Sequence, residues 1–142
     1  MYSDKNLKYV KANSRAWDQV SALHRQASFK TITQLLKTKK PFAFSALEIK
    51  QLKELQLAGK KGTHLCCNSG VELISIERLG AGECVGFDIS EKFLELAREY
   101  ADDSDGCEKL KCKASSCAQQ AILSSSALLA TIHTDFIRTA LL

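Results

Sequence analysis

Thr63-His64-Leu65-Cys66-Cys67-Asn68-Ser69-Gly70 and Val85-Gly86-Phe87-Asp88 are the stretches of this 142-residue chain whose residue types and spacing could do chemistry. The first is a short apolar run entering a tight polar turn of Asn68, Ser69 and Gly70, residue types that form turns and cap helices. The second is another apolar run, and it ends in an acid eighteen residues after Gly70. A strand end that presents backbone, then a helix, then a second strand tipped by a carboxylate is how open α/β sheets hold an adenosine, with the acid on the ribose diol. The same residues disfavour two other chemistries. Cys66-Cys67-Asn68-Ser69-Gly70 is not the G-x-G-x-x-G that lets a pyrophosphate approach bare backbone, so NAD is the weaker candidate. No G-x4-G-K-[ST] loop is present, which disfavours nucleotide hydrolysis.

The elements that must position these residues can be read from periodicity. Thr63 to Cys66 reads as a strand, and Leu73, Ile76 and Leu79, with Ile74, give the following segment one apolar side that Gly80 or Gly82 can end. Glu83 to Asp88 reads as the second strand. Ser90 caps a helix whose Phe93, Leu94, Leu96, Ala97, Tyr100 and Ala101 form a broad stripe. Short connections between strand, helix, strand and helix imply a parallel pair with a right-handed crossover. Ahead of them, Asn13 to Ala27 reads as a helix from the shared face of Trp17, Val20, His24 and Ala27, and Phe29, Ile32, Leu35 and Leu36 continue it until Thr38-Lys39-Lys40-Pro41. Trp17 reads as a core anchor of that face and His24 as a packing histidine. Ser45-Ala46-Leu47-Glu48 fits a capping box opening a helix to about Leu57, and Gly59-Lys60-Lys61-Gly62 breaks it. Beyond the Asp102-to-Gly106 loop, Cys107 to Lys113 offers a weak alternating strand with Leu110 and Cys112 on one side. Ala118, Ile122, Ser125, Leu129, Ile132 and Phe136 keep a helical step, so a helical C-terminal tail is expected.

Composition sets the outer bounds. The chain is one domain's worth, with 45% hydrophobic and 25% charged residues and one proline. Its first residues lead to no apolar signal region and no run approaches a membrane span of ~20 residues, so a soluble, cytoplasmic protein is expected. Six cysteines without a secretory signal read as reduced thiols. Cys107, Cys112 and Cys117 recur every five residues, which matches neither zinc-ribbon nor common iron-sulfur spacing, and no metal site is expected. Charge is uneven: 13 Lys and Arg face 4 Asp and Glu up to Lys61, and 7 face 12 from Gly62 onward. An anionic partner such as RNA could use the basic half, but the lysines are dispersed and lack interleaved aromatics, which fits a solvated helical surface better.

With these residues in hand, positions 13 to 101 resemble the N-terminal half of a class I S-adenosylmethionine-dependent methyltransferase. The resemblance is carried by Asn13 to Trp17, Gly59 to Gly70, Leu79-Gly80-Ala81 and Val85-Gly86-Phe87-Asp88-Ile89-Ser90 before an amphipathic helix. In that family an acid-x-Gly-x-Gly-x-Gly loop wraps the methionine part of the donor, and an acid ending the second strand binds the ribose. Carried over, the resemblance implies cofactor-binding positions at His64, Cys66, Asn68, Ser69 and Gly70 in the loop, and at Asp88 and Ile89 after the second strand. His64 stands where the family commonly has an acid, and Cys66 and Asn68 stand where it has glycines. A similar His-Leu-x-Cys loop with few glycines occurs in some branches of the family. Asn tolerates a left-handed backbone, whereas Cys there would cost ~1 to 2 kcal/mol.

The resemblance implies an incomplete Rossmann-like α/β domain: a helical leader over residues 1–58, a partial donor-binding core over 59–113 and a divergent helical tail over 114–142. It implies S-adenosylmethionine as cofactor and a small-molecule methyl acceptor. Methyl transfer from a sulfonium is an in-line displacement, in which an enzyme chiefly holds donor and acceptor at attack distance with water excluded. The later strands, which in the family carry the acceptor site and the base, are not legible, so no catalytic base is assigned. Two functions therefore stand side by side: a methyltransferase, and a catalytically inactive truncated remnant that serves as a donor-binding or protein-interaction module.

Overall fold

The computed structural model of the chain describes residues 4–104, 110–114, 128–133 and 136–140. In chain order the elements are α1 (Asp4–Leu36), α2 (Ala46–Glu54), β1 (Gly62–Leu65), α3 (Val71–Arg78), β2 (Cys84–Asp88), α4 (Glu91–Asp102), β3 (Leu110–Ala114), β4 (Leu128–His133) and β5 (Phe136–Ala140). The strands form one sheet in the order β3-β2-β1-β4-β5. β1 pairs parallel with β2, Gly62 opposite Cys84 and Leu65 opposite Phe87, and parallel on its other side with β4; only β5 runs antiparallel, against β4. This is the expected incomplete Rossmann-like α/β arrangement, with β1 central and its C-terminal end beside that of β2.

Packing explains why the elements form where they do. α3 buries Leu73, Ile74, Ser75 and Ile76. Leu73 and Ile76 join Leu52, Leu57, Cys67, Cys84 and Leu94 in one core, and Ile74 joins Leu36, Leu96 and Tyr100 in a second. Gly86 is required by that packing: a Cβ there would lie 2.6 Å from Leu73 Cδ1 and 2.7 Å from Cys67 Sγ. α1 is one unbroken helix of 33 residues, laid on α4. Phe29 stacks on Tyr100 at 5.8 Å, His24 meets Phe93 edge-on at 5.3 Å, and Arg25 makes a bidentate pair with Glu99. The last carbonyls of α1 are taken in part by Arg78, whose guanidinium donates to Leu36 O at 2.6 Å and to Leu35 O at 3.4 Å, and also to Lys40 O in the loop beyond the helix at 3.0 Å. The capping box at Ser45 and Glu48 is present, with both reciprocal bonds made.

The helical tail is corrected. Leu129, Ile132 and Phe136, read from their spacing as one helical face, lie in β4 and β5; Ala118, Ile122 and Ser125 lie outside the described residues. The physical reason is pairing: β1 is flanked by β2 on one side, and the run Leu128-Leu129-Ala130-Thr131-Ile132 covers its other edge, with Gly62 opposite Leu128 and Thr63 opposite Leu129. A parallel sheet needs such neighbours, and tertiary pairing overrides a local helical step. Leu110 and Cys112 do fall in a strand, β3, parallel to β2. Among the described residues no helix is long and apolar enough to cross a membrane.

Candidate functional site

The loop between β1 and α3 has a left-handed residue at every second position: Cys66 at φ 58°, Asn68 at φ 51° and Gly70 at φ 73°. Cys66 and Asn68 stand where the resembled family has glycines, so the loop keeps a glycine-type backbone while carrying two side chains. Cys67 N donates to Phe87 O at 3.0 Å, extending the sheet by one bond, and Gly70 N closes a turn onto Cys67 O at 2.9 Å. Asn68 suits its conformation because its side-chain oxygen accepts from Ser69 N at 2.6 Å. Gly70 then serves as N-cap of α3 without any side-chain cap. A Cβ on it would sit 3.1 Å from the Ala97 Cβ, so α4 closes on the loop from behind.

Asp88 ends β2 and ties this loop to the rest. Its Oδ2 accepts from Asn68 N at 2.8 Å and its Oδ1 from Ser90 N at 2.9 Å, and the residue is buried. Ser90 is the N-cap of α4, accepting from Phe93 N at 3.1 Å, and its hydroxyl donates to Asp18 Oδ1 at 2.7 Å. Asp18 Oδ1 also accepts from Lys92 N at 3.2 Å, and Ser14 Oγ donates to Ile89 O at 3.0 Å. A hydrogen-bonded series therefore runs from α1 through the cap of α4 and Asp88 into the loop. Cys66 is exposed as a residue, yet partial burial of its sulfur, and then the nearby Asp88 carboxylate, push the thiol above its ordinary value. At neutral pH it is a protonated thiol and a poor nucleophile.

An open cleft of about 790 Å³ lies over these strand ends. Of the residues singled out from the sequence, His64, Cys66, Asn68, Ser69, Asp88 and Ile89 line it, while Gly70 lies just behind the surface. His64 is buried at 4% exposure where β1 ends. The structure adds residues that sequence reasoning gave other roles or none. Trp17, expected as a core anchor, is 43% exposed, stands at the cleft and touches Phe93 at 6.4 Å between ring centres. His24, Phe44, Glu48, Glu72 and Tyr100 also face the cleft. The one signal for α1 was its helical stripe, which fixes a face and not what lies opposite it; Asp18 gave no signal, because its partners are 72 and 74 residues away. Among the described residues no group of three or more His, Cys, Asp or Glu could hold a metal ion; Cys107 and Cys117 lie outside them.

No family model matches the chain, and no curated protein does. Solved structures do. A putative S-adenosyl-L-methionine-dependent methyltransferase from Methanococcus maripaludis is similar at a TM-score of 0.51 and 11% identity, over 69% of this chain and 41% of that one. A SAM-dependent methyltransferase from Thiobacillus denitrificans, solved with S-adenosyl-L-homocysteine, gives a TM-score of 0.44 at 23% identity, over 61% and 36% of the two chains. A ribosomal protein L11 methylase from Lactobacillus delbrueckii subsp. bulgaricus gives 0.41 at 20% identity, over 46% and 33%. The chain thus spans well under half the length of these structures. Its parallel β1 and β2, the loop and acid at their ends, and the likeness to the Methanococcus structure together give it, in part, the fold of a class I S-adenosylmethionine-dependent methyltransferase.

Proposed function

We propose that the chain binds S-adenosylmethionine and acts as a methyltransferase on a small-molecule acceptor. The observation that carries this reading is the 2.8 Å bond from Asn68 N to Asp88 Oδ2, which brings the glycine-type loop and the strand-end acid to one spot in one cleft. The residues fit the donor on two counts. An ionised carboxylate offers about four acceptor positions, and backbone N–H groups use two of those on Asp88, so two remain for a ribose diol. The left-handed turns at Cys66, Asn68 and Gly70 hold the loop where its backbone can cradle the methionine part, and α3 begins at that loop with no side-chain cap and with Glu72 in its first turn.

In this reading Asp88 holds the ribose, His64, Cys66, Asn68, Ser69 and Gly70 form or support the cradle, and Ile89 lies against the adenosyl group. The bound donor supplies a sulfonium methyl; the chain's own residues bind, orient and exclude water. Trp17 and other residues of α1 line one side of the cleft. The test is calorimetry with S-adenosylmethionine and S-adenosylhomocysteine on the wild type and Asp88→Ala, with unfolding curves to show that the variant is folded. A charge-assisted contact of ~1.5 to 3 kcal/mol gives an affinity loss of about 10- to 150-fold. Equal affinity in both proteins would remove Asp88 from the site, and no binding by the wild type would overturn the reading.

A further inference from the structure

We propose that the part of the cleft lined by Glu48, Glu72, Trp17 and Phe44 takes an amine that arrives as its ammonium, with an apolar or aromatic body, and that this is the class of methyl acceptor. The proposal rests on the donor reading above and is drawn from charge and shape. The chain carries 20 Lys and Arg against 16 Asp and Glu, yet no Lys or Arg among the described residues lines the cleft, whereas Glu48 and Glu72 do, both half-buried. Of the other glutamates, Glu83 pairs with Lys61 and Lys111, Glu91 with Arg98, Glu95 with Lys92 and Glu99 with Arg25, whereas Glu54 and Glu77, which do not line the cleft, show no ion pair among the described residues. Glu48 and Glu72 form no ion pair among the described residues.

Glu48 is also fixed in place and in charge. The Ser45 hydroxyl, and then the Ser45 N–H, which donates to Oε2 at 2.7 Å in the capping box, hold the carboxyl below the usual carboxylate range. Two carboxylates in a partly walled cleft, without a cation beside them, set a negative field that attracts an ammonium and repels phosphate-bearing acceptors, RNA among them. Trp17 and Phe44 line the same cleft and supply the aromatic surface on which an organic cation gains further attraction. In the reaction this implies, the bound ammonium first gives a proton to water. The amine lone pair then forms the N–C bond to the methyl group as the C–S bond breaks and its electron pair returns to sulfur, leaving the neutral thioether.

Benzylamine and phenylacetate, a cation and an anion of similar shape, test the claim by calorimetry with and without saturating S-adenosylhomocysteine. Benzylamine is expected to bind in either condition and phenylacetate not, and Glu72→Gln and Glu48→Gln are each expected to weaken benzylamine by about three- to tenfold. Absence of benzylamine binding, equal binding of phenylacetate, or indifference to both substitutions would overturn the proposal while leaving the donor result to be read on its own. The donor's own cations, its sulfonium and its α-ammonium, are the competing claimants on these carboxylates. If Glu72→Gln and Glu48→Gln weaken S-adenosylmethionine or S-adenosylhomocysteine but not benzylamine, the carboxylates serve the donor and the proposal falls.

Discussion

Cys66→Gly should stabilise this protein and Cys66→Ala should not. Cys66 sits at φ 58° with its side chain toward solvent and the cleft, so little packing is lost when it is cut back. A side chain with a Cβ in the left-handed region costs ~1 to 2 kcal/mol, and alanine keeps that cost in full. Glycine removes it, at the expense of ~0.5 to 1 kcal/mol of extra backbone entropy in the unfolded chain. The glycine variant should therefore exceed the alanine variant by roughly 0.5 to 1 kcal/mol, about 2 to 4 °C in melting temperature for a chain of this size. At a right-handed or extended position the order reverses, because glycine then loses entropy without relieving anything. Paired urea melts of the two variants decide the matter by sign alone: an alanine variant more stable than the glycine variant would refute the left-handed loop, and with it the cradle.

Gly86→Ala should lower stability by ~1 to 3 kcal/mol, since the added methyl would lie 2.6 Å from Leu73 Cδ1 and 2.7 Å from Cys67 Sγ, and a urea midpoint unchanged from wild type would contradict that packing. Asp18→Ala should cost ~1 to 2 kcal/mol, by leaving Ser90 Oγ and Lys92 N without their acceptor, and should weaken S-adenosylhomocysteine several-fold by loosening Ser90 beside Asp88. Asp18→Asn should restore most of both losses, because a single oxygen, Oδ1, accepts both bonds; an asparagine variant as impaired as the alanine one would show that charge matters here and geometry does not.

The part of the fold legible in the sequence is the part whose signals are local. A turn-forming run after an apolar segment, an acid after the next one, Ser90 before a broad stripe and a capping box at Ser45 each announce themselves within a few residues. Each is found in the structure within a residue or two of its expected bounds, except that the helix opened at Ser45 ends at Glu54 and not near Leu57. The tail failed for the opposite reason. Leu129, Ile132 and Phe136 have a helical spacing on their own, and the sheet edge that recruits them lies more than sixty residues earlier, at Gly62 and Thr63. The candidate site divides the same way. Its floor, His64 to Gly70 with Asp88 and Ile89, was legible, whereas the wall contributed by α1 was not, because nothing local to Trp17 or Asp18 says that α4 and the strand ends lie opposite.

Asp88 also explains how a loop with so few glycines can persist. A left-handed Cys66 and a left-handed Asn68 store strain, which survives only where the surroundings over-determine the conformation. Here the surroundings do: Asn68 N is held by Asp88 Oδ2, Asn68 Oδ1 by Ser69 N, and Cys67 N by the carbonyl of Phe87. The carboxylate that would receive the ribose is thus the same group that fixes the cradle, and Ser90 and Asp18 fix the carboxylate in turn. In a glycine-rich loop those two tasks can separate, since glycine reaches the left-handed region unaided. In this chain they cannot, so loop shape and donor affinity should rise and fall together in every variant that touches Asp88.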